Sequence, residues 1–233
     1  MITKRKIKMR KLIKGIVDFR NNLLKEYCNK FAKLAIRQSP DTLFVACCDS
    51  RVVPNTFASS DPGDLFVLRN IGNLIPPCCC TSQGNSQTDA SVAATIEFSI
   101  LSLEVQDIVI CGHSECGAMQ ALIDNASKDA CSLPSLNTWL EYAASSYERF
   151  KNSVSNTTDL SPCNLLSRIN VLQQLDNLKT YPLVMERLQS NKLRIHGWWF
   201  DLATANIYHY NLNSEEFVLI DEKEAKNMLT PSD

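Results

Sequence analysis

Apolar positions recur along the chain at two different periods, and the switches between them mark its elements. Ile13, Ile16, Val17, Leu23, Leu24, Tyr27, Phe31, Leu34 and Ala35 fall at helical spacing, which predicts one or two amphipathic helices over 11–36, stopped by Pro40. Such a stripe needs a partner surface. Short unbroken apolar runs at 42–46, 65–68 and 107–111 predict buried strands. Val92, Ala93, Ile96 and Ile100 predict a helix over 89–103, and 114–124, 134–150 and 164–178 read as further helices. The Ser, Asn and Thr cluster at 152–158 joins the last two. Strands are predicted again at 194–200, 205–210 and 216–220, the last two joined as a hairpin by 211–214.

Strand, loop, helix, strand is the alternation of an α/β fold: a central, mostly parallel sheet flanked by helices. The division expected is an N-terminal extension and helical arm over 1–36, then a single α/β domain over 37–233. The chain shows no self-similar period, which excludes a repeat array.

Composition narrows the function classes. Of 233 residues, 45% are hydrophobic and 21% charged, which excludes disorder as the main state. Lys plus Arg is 24 against Asp plus Glu 25, a net charge of −1 that argues against a nucleic-acid partner. No apolar run approaches the ~20 residues of a membrane span. Lys4, Arg5, Lys6, Lys8, Arg10, Lys11 and Lys14 crowd the start and read as a solvated arm. Lys14, Asp18 and Arg20 break any signal-like apolar stretch, so a cytoplasmic location is expected. Met9 is an alternative start.

The ten cysteines then gain meaning. In a chain of this length without a visible signal they read as reduced thiols, a subset of which binds metal. The run Cys78-Cys79-Cys80 reads as incidental, and Cys48 as a small buried neighbour. Two groups stand apart because each follows a predicted strand. Cys47-Cys48-Asp49-Ser50-Arg51 follows the first, and His113-Ser114-Glu115-Cys116-Gly117 follows the third. Parallel sheets bind ligands at the carboxyl ends of their strands, so both groups can reach one place. Two thiolates and an imidazole suit zinc, and three protein ligands leave a fourth position open for catalysis. A structural zinc closed by a fourth ligand is the alternative, with Asp49 and Arg51 then a mere surface ion pair. His196 and His209 read as packed or surface residues, Trp198 and Trp199 as core and interface, and Gly72 and Gly112 as turn residues.

C-C-D-S-R-V at 47–52, D-L-F-V-L-R-N-I-G-N at 64–73, H-S-E-C-G-A at 113–118 and H-G-W-W-F-D at 196–201 together resemble the β-class carbonic anhydrases. The resemblance implies reversible hydration of carbon dioxide to bicarbonate by zinc-bound hydroxide, with one zinc per chain on Cys47, His113 and Cys116. It makes Asp49 and Arg51 the catalytic dyad and Gln38 an amide donor to substrate. Phe66, Ile71 and Phe98 fall at apolar substrate-pocket positions, the last often Tyr in relatives. It also implies a homodimer or dimer of dimers, with the arm laid across the neighbouring subunit. In one subgroup of the family, bicarbonate switches the enzyme off from a pocket of Trp, Arg and Tyr. The corresponding positions here are Phe44, Arg69 and Phe200, which predicts no such switch. A same-fold hydrolase of carbon disulfide or carbonyl sulfide, and a noncatalytic bicarbonate- or zinc-binding module, are the alternative functions.

Overall fold

The computed structural model describes residues 2–58, 60–78, 89–125, 133–153 and 159–230. The chain forms two compact units, Met1–Ser39 and Pro40–Asp233. The first consists of helices α1 (Ile2–Asn22) and α2 (Leu24–Leu34), so the helical stripe divides at Leu23. Leu12, Ile13, Ile16, Val17, Leu23, Leu24 and Phe31 are all exposed on it.

The second unit is built on a six-stranded sheet. Its strands are β1 (Thr42–Cys47), β2 (Leu65–Asn70), β3 (Asp107–His113), β4 (Arg194–Asp201), β5 (Asn206–Asn211) and β6 (Glu216–Leu219), in the order β2-β1-β3-β4-β5-β6. The first four run parallel, with Thr42 beside both Leu65 and Asp107, and Asp107 beside Arg194. The last two are antiparallel, as the hairpin pattern predicted. The unbroken apolar runs of β1 and β3 sit where both faces are covered. The run at 65–68, expected to be buried, instead forms the edge strand β2, where no residue is fully buried and Val67 is exposed. On one face Leu43, Val45, Ile108 and Ile110 pack with Val92, Ile96 and Ile100 of α4 (Ala90–Leu101) and with Val171, Leu175 and Leu178 of α8 (Pro162–Leu178). On the other, Phe44, Ala46, Val109 and Cys111 pack with Val52 and Phe200.

Between α4 and α8 stand α5 (Gly117–Asn125), α6 (Pro134–Leu140), a 3₁₀ turn (Glu141–Ala143) and α7 (Ala144–Ser153). The helix predicted over 134–150 is therefore broken in two. The patterns stopped short of three elements: α3 (Pro54–Phe57), α9 (Pro182–Gln189) and α10 (Glu222–Leu229). All are eight residues or shorter, too short to establish a period. Among the described residues three helices carry a capping side chain. Asp89 accepts from the Val92 N–H ahead of α4, and Ser161 accepts from the Asn164 N–H ahead of α8, with Pro162 in the first turn. Asp221 accepts from the Glu224 N–H ahead of α10.

Two further readings need correction. Cys48 is exposed, because β1 ends at Cys47 and the chain leaves the core there. Gly72 does occupy a turn at φ 81°, but Gly112 lies inside β3. What Gly112 supplies is space: a Cβ there would stand 2.7 Å from a Val171 methyl and 3.2 Å from Ser167 Oγ. Cys79, Cys80 and most of the 152–158 cluster lie outside the described residues.

Candidate metal centre

The site forms where β1 and β3 end. β1 delivers Cys47 at its last residue, and β3 delivers His113 at its own. The chain then turns through Ser114 and Glu115, the latter in the left-handed region at φ 52°. That conformation is held from α8, whose Asn164 Oδ1 accepts from the Glu115 N–H at 2.7 Å. The turn brings Cys116 to the start of α5, where its carbonyl accepts from the Gln120 N–H. All three residues are buried, and their ligand atoms lie within 4.8 Å of one another.

The ring of His113 identifies which nitrogen is available. Nδ1 lies 2.8 Å from the Ser114 carbonyl, which can only accept, so Nδ1 carries the proton. Nε2 is left with its lone pair, and it is buried with no hydrogen-bond partner among the described residues. Leaving a buried nitrogen unsatisfied is costly, and a metal ion is the group that would satisfy it. The sulfurs fit the same role. A hydrogen bond from the Cys116 thiol draws the Cys47 thiol well below its ordinary value against the burial that would raise it, and the Gly72 N–H adds to the pull from 3.4 Å. Cys116 is pushed up by that same bond and by burial. A cation between the two sulfurs would replace the shared proton.

Beside the trio, Arg51 forks onto Asp49. Its Nε donates to Oδ1 at 2.9 Å and its Nη2 to Oδ2 at 2.7 Å, while its backbone N–H donates to Oδ1 at 2.9 Å. Those bonds hold the Asp49 carboxyl well below the usual carboxylate range. Arg51 Nη2 also reaches the Glu115 carbonyl at 3.1 Å, which ties the β1 loop to the β3 loop. Arg69 braces the β1 loop from the other side. Its Nε and Nη2 donate to the Cys47 carbonyl at 3.0 and 2.8 Å, and Nη2 to the Asp49 carbonyl at 2.7 Å.

These features coincide with a family pattern. A carbonic anhydrase family model matches residues 42–207. A carbonic anhydrase of Pseudomonas aeruginosa is 38% identical over 92% of this chain and 93% of its own. One of Helicobacter pylori is 35% identical over 89% and 93%. The solved structure of the β-carbonic anhydrase CcaA superposes with a TM-score of 0.83, at 33% identity over 91% of this chain and 99% of that one. The chain belongs to the β-carbonic anhydrase family. It is an enzyme of the carbonate dehydratase class, with the family's α/β fold. Another β-carbonic anhydrase structure, from the tetrameric pair of Sordaria macrospora, superposes with a TM-score of 0.74 at 27% identity, over 87% of this chain and 96% of that one.

Within this β-carbonic anhydrase the remaining candidates divide. Phe66 and Phe98 form a ring pair with centroids 5.8 Å apart, and Phe98 is largely exposed. Ile71 follows β2 and lines a cavity of about 320 Å³ with Cys48, Arg69 and Trp139. Gln38 is exposed and belongs to the first unit. His196 and His209 are each committed to a carboxylate, Asp107 and Glu224 respectively, and neither is near enough to be grouped with the cysteines. The hold of Asn164 on Glu115, the bonds of Arg69 to the Cys47 and Asp49 carbonyls and the Gly72 N–H on Cys47 were not read from the sequence. A left-handed residue beside a ligand motif is the signal that something must hold it, but the holder comes from 49 residues away.

Proposed function

We propose that this enzyme interconverts carbon dioxide and bicarbonate with one zinc ion per chain, held by Cys47, His113 and Cys116. The observation that carries the reading is the buried His113 Nε2, unsatisfied among the described residues and grouped with two thiol sulfurs. Ligand atoms around a tetrahedral zinc stand roughly 3.5–4 Å apart, within the spread found here. When bound, zinc supplies the Lewis acidity that makes water a nucleophile near neutral pH.

The chain's own groups do the rest. Asp49, kept ionised by Arg51, can only accept hydrogen bonds, so it turns the hydroxyl of the attacking nucleophile toward itself and a lone pair toward the substrate. Arg51 holds the carboxylate in place rather than meeting substrate. The Phe66–Phe98 pair offers an apolar wall suited to a nonpolar gas. Gln38 and Ile71 stay with this reading through the family pattern. Free thiols at Cys47, Cys116, Cys111 and Cys163 suit a reducing cytoplasm. Among the described residues no helix is long and apolar enough to cross a membrane.

The assembly we infer is a homodimer or a dimer of dimers, in which the apolar stripe of residues 1–36 packs on a neighbouring subunit. The Sordaria relatives are tetrameric, which supports that reading. Light scattering of the full chain should give at least twice the monomer mass, and a chain lacking 1–36 should give the monomer.

The deciding experiment is metal analysis with stopped-flow hydration of carbon dioxide. The reduced protein should carry one zinc per chain. Cys47→Ser should lose the zinc and fall to the uncatalysed rate. A zinc-free wild type that still hydrates carbon dioxide would overturn the mechanism.

A further inference from the structure

Beside the apolar side chains that pack on the sheet, helix α8 buries a row of polar ones. Ser167, Asn170 and Gln174 are only 2%, 1% and 0% exposed. Their three- and four-residue spacing puts them on one side of the helix. Burying such groups is costly unless each finds a partner. Each does: Ser167 and Asn170 bond backbone atoms of the segments that carry the site, and Gln174 bonds the backbone that follows Gly72. Ser167 Oγ donates to the His113 carbonyl at 2.7 Å. Asn170 Nδ2 donates to the Gly72 carbonyl at 3.0 Å, and Gln174 Oε1 accepts from the Ile75 N–H at 2.8 Å. Ser146 Oγ and Gln174 Nε2 both donate to Asn170 Oδ1 at 2.9 Å, which fixes the orientation of that amide.

Two glycines make this reading of the backbone possible. Gly112 lets α8 approach β3 so closely that a Cβ would collide with Val171, and this places Ser167 within reach of His113. Gly72 turns at φ 81° with its carbonyl on Asn170 and its N–H on Cys47 Sγ. Asn170 is therefore two bonds removed from the sulfur it helps to place.

We propose that α8 is the template of the metal centre, with Ser167 and Asn170 as positioning residues: Ser167 fixes the His113 backbone, and Asn170 sets the Gly72 N–H on the Cys47 sulfur. The inference rests on Cys47, His113 and Cys116 holding the metal. An apolar α8 face could cover the sheet equally well, since replacing a buried polar network by well-packed apolar groups is often neutral or stabilising. What the polar face adds is one defined geometry for both ligand segments before an ion arrives. The N–H on Cys47 also draws charge from the thiolate, so the ion keeps more of its own. Outer-shell contacts of this kind change metal affinity by about 10–100-fold when removed.

Zinc release to a chelator, and the visible spectrum of the cobalt-substituted protein, read positioning directly. Ser167→Ala and Asn170→Ala should each speed zinc release about tenfold and shift the sulfur-to-cobalt charge-transfer band. Asn177→Ala is the matched comparison. It removes another buried α8 amide, which donates to the Ile75 carbonyl at 2.8 Å and to Gln174 Oε1 at 3.1 Å but makes no bond to the His113 or Gly72 backbone. It should lower the melting temperature and leave zinc release and the band as in wild type. The proposal fails if Ser167→Ala and Asn170→Ala keep wild-type release and spectrum, or if Asn177→Ala changes them as much. Ser167→Ala removes a single hydroxyl and decides the matter if Asn170→Ala does not fold. A wild type that takes up neither zinc nor cobalt would overturn the metal reading, and the template with it.

Discussion

The two ends of β3 carry similar sets of side chains and differ in one respect. At its start, Asp107 is gripped by Arg194, with Nε on Oδ1 at 2.8 Å and Nη2 on Oδ2 at 2.6 Å, and His196 Nε2 lies 2.7 Å from Oδ1. Past its end, Asp49 is gripped by Arg51 in the same fork, and His113 is close by. The carboxylates are about equally covered, at 20% and 17% side-chain exposure, and both arginines are largely exposed. At the first end the histidine spends its Nε2 on the carboxylate, and the cluster closes on itself. At the second, Nε2 has no partner among the described residues and faces two thiol groups. An ion pair with a histidine is thus weak evidence of chemistry. A buried nitrogen left open beside soft donors is strong evidence.

Substitutions at the two ends should separate accordingly. Asp49→Asn should retain zinc and lose about 100-fold or more in hydration rate, because an amide can donate where the mechanism needs an acceptor. Arg51→Ala should act in the same direction by freeing Asp49. At the other end, Arg194→Ala should leave hydration within about twofold of wild type and cost about 1 kcal/mol of stability, the scale of a mostly exposed pair. Stopped-flow rates with metal content test the first pair, and urea unfolding tests the second. Equal rate losses at both ends would erase the distinction drawn between them.

The same comparison explains what was legible in the sequence. Cys47, His113 and Cys116 could be grouped from sequence because each motif ends a buried strand, and parallel strands end together. The apolar runs of β1 and β3 are long enough to read, and so is the Asp49–Arg51 pair, two residues apart. The supports were not legible. Ser167, Asn170 and Gln174 interrupt the apolar period of α8, and only the fold shows that their partners lie 54 to 99 residues away. The Asp107–Arg194–His196 cluster was invisible for the same reason, since its parts meet through the register of β3 with β4. Gly112 was misread because a glycine that makes room looks, in sequence, like one that makes a turn.

The two carboxylates should also titrate alike, which sharpens the comparison by showing that charge alone does not distinguish the ends. At Asp49 the Arg51 fork lowers the carboxyl; at Asp107 burial opposes, but Arg194 and His196 outweigh it. A depressed folded-state value gives stability that is present above the unfolded carboxyl near pH 3.9 and is lost as pH falls through the folded value. Carboxyl-carbon NMR should therefore show both groups ionised from pH 8 down to about pH 4. Titration of Asp49 in the neutral range would contradict the fork.

The smallest expected effect is the response to bicarbonate. Phe44 and Phe200 are buried around Phe57, with ring centroids 6.0 and 4.8 Å from it, and offer no hydrogen-bond donors. Arg69 already donates to the Cys47 and Asp49 carbonyls at 2.7 to 3.0 Å. Trp198, packed edge-on to Phe44, has a buried Nε1 without a partner among the described residues, but one neutral donor does not replace the hydration of an anion. A bicarbonate ion entering there would have to displace the bonds that brace the β1 loop and would find little in return. Held by Arg51, Asp49 would not compete for a metal on Cys47, His113 and Cys116. Added bicarbonate should therefore slow hydration only as a product does, along a hyperbolic curve with a Hill coefficient of one. A steep, cooperative loss of activity, or an Asp49 that leaves Arg51 for the metal near neutral pH, would show that the Arg69 bonds are a resting state and not a brace.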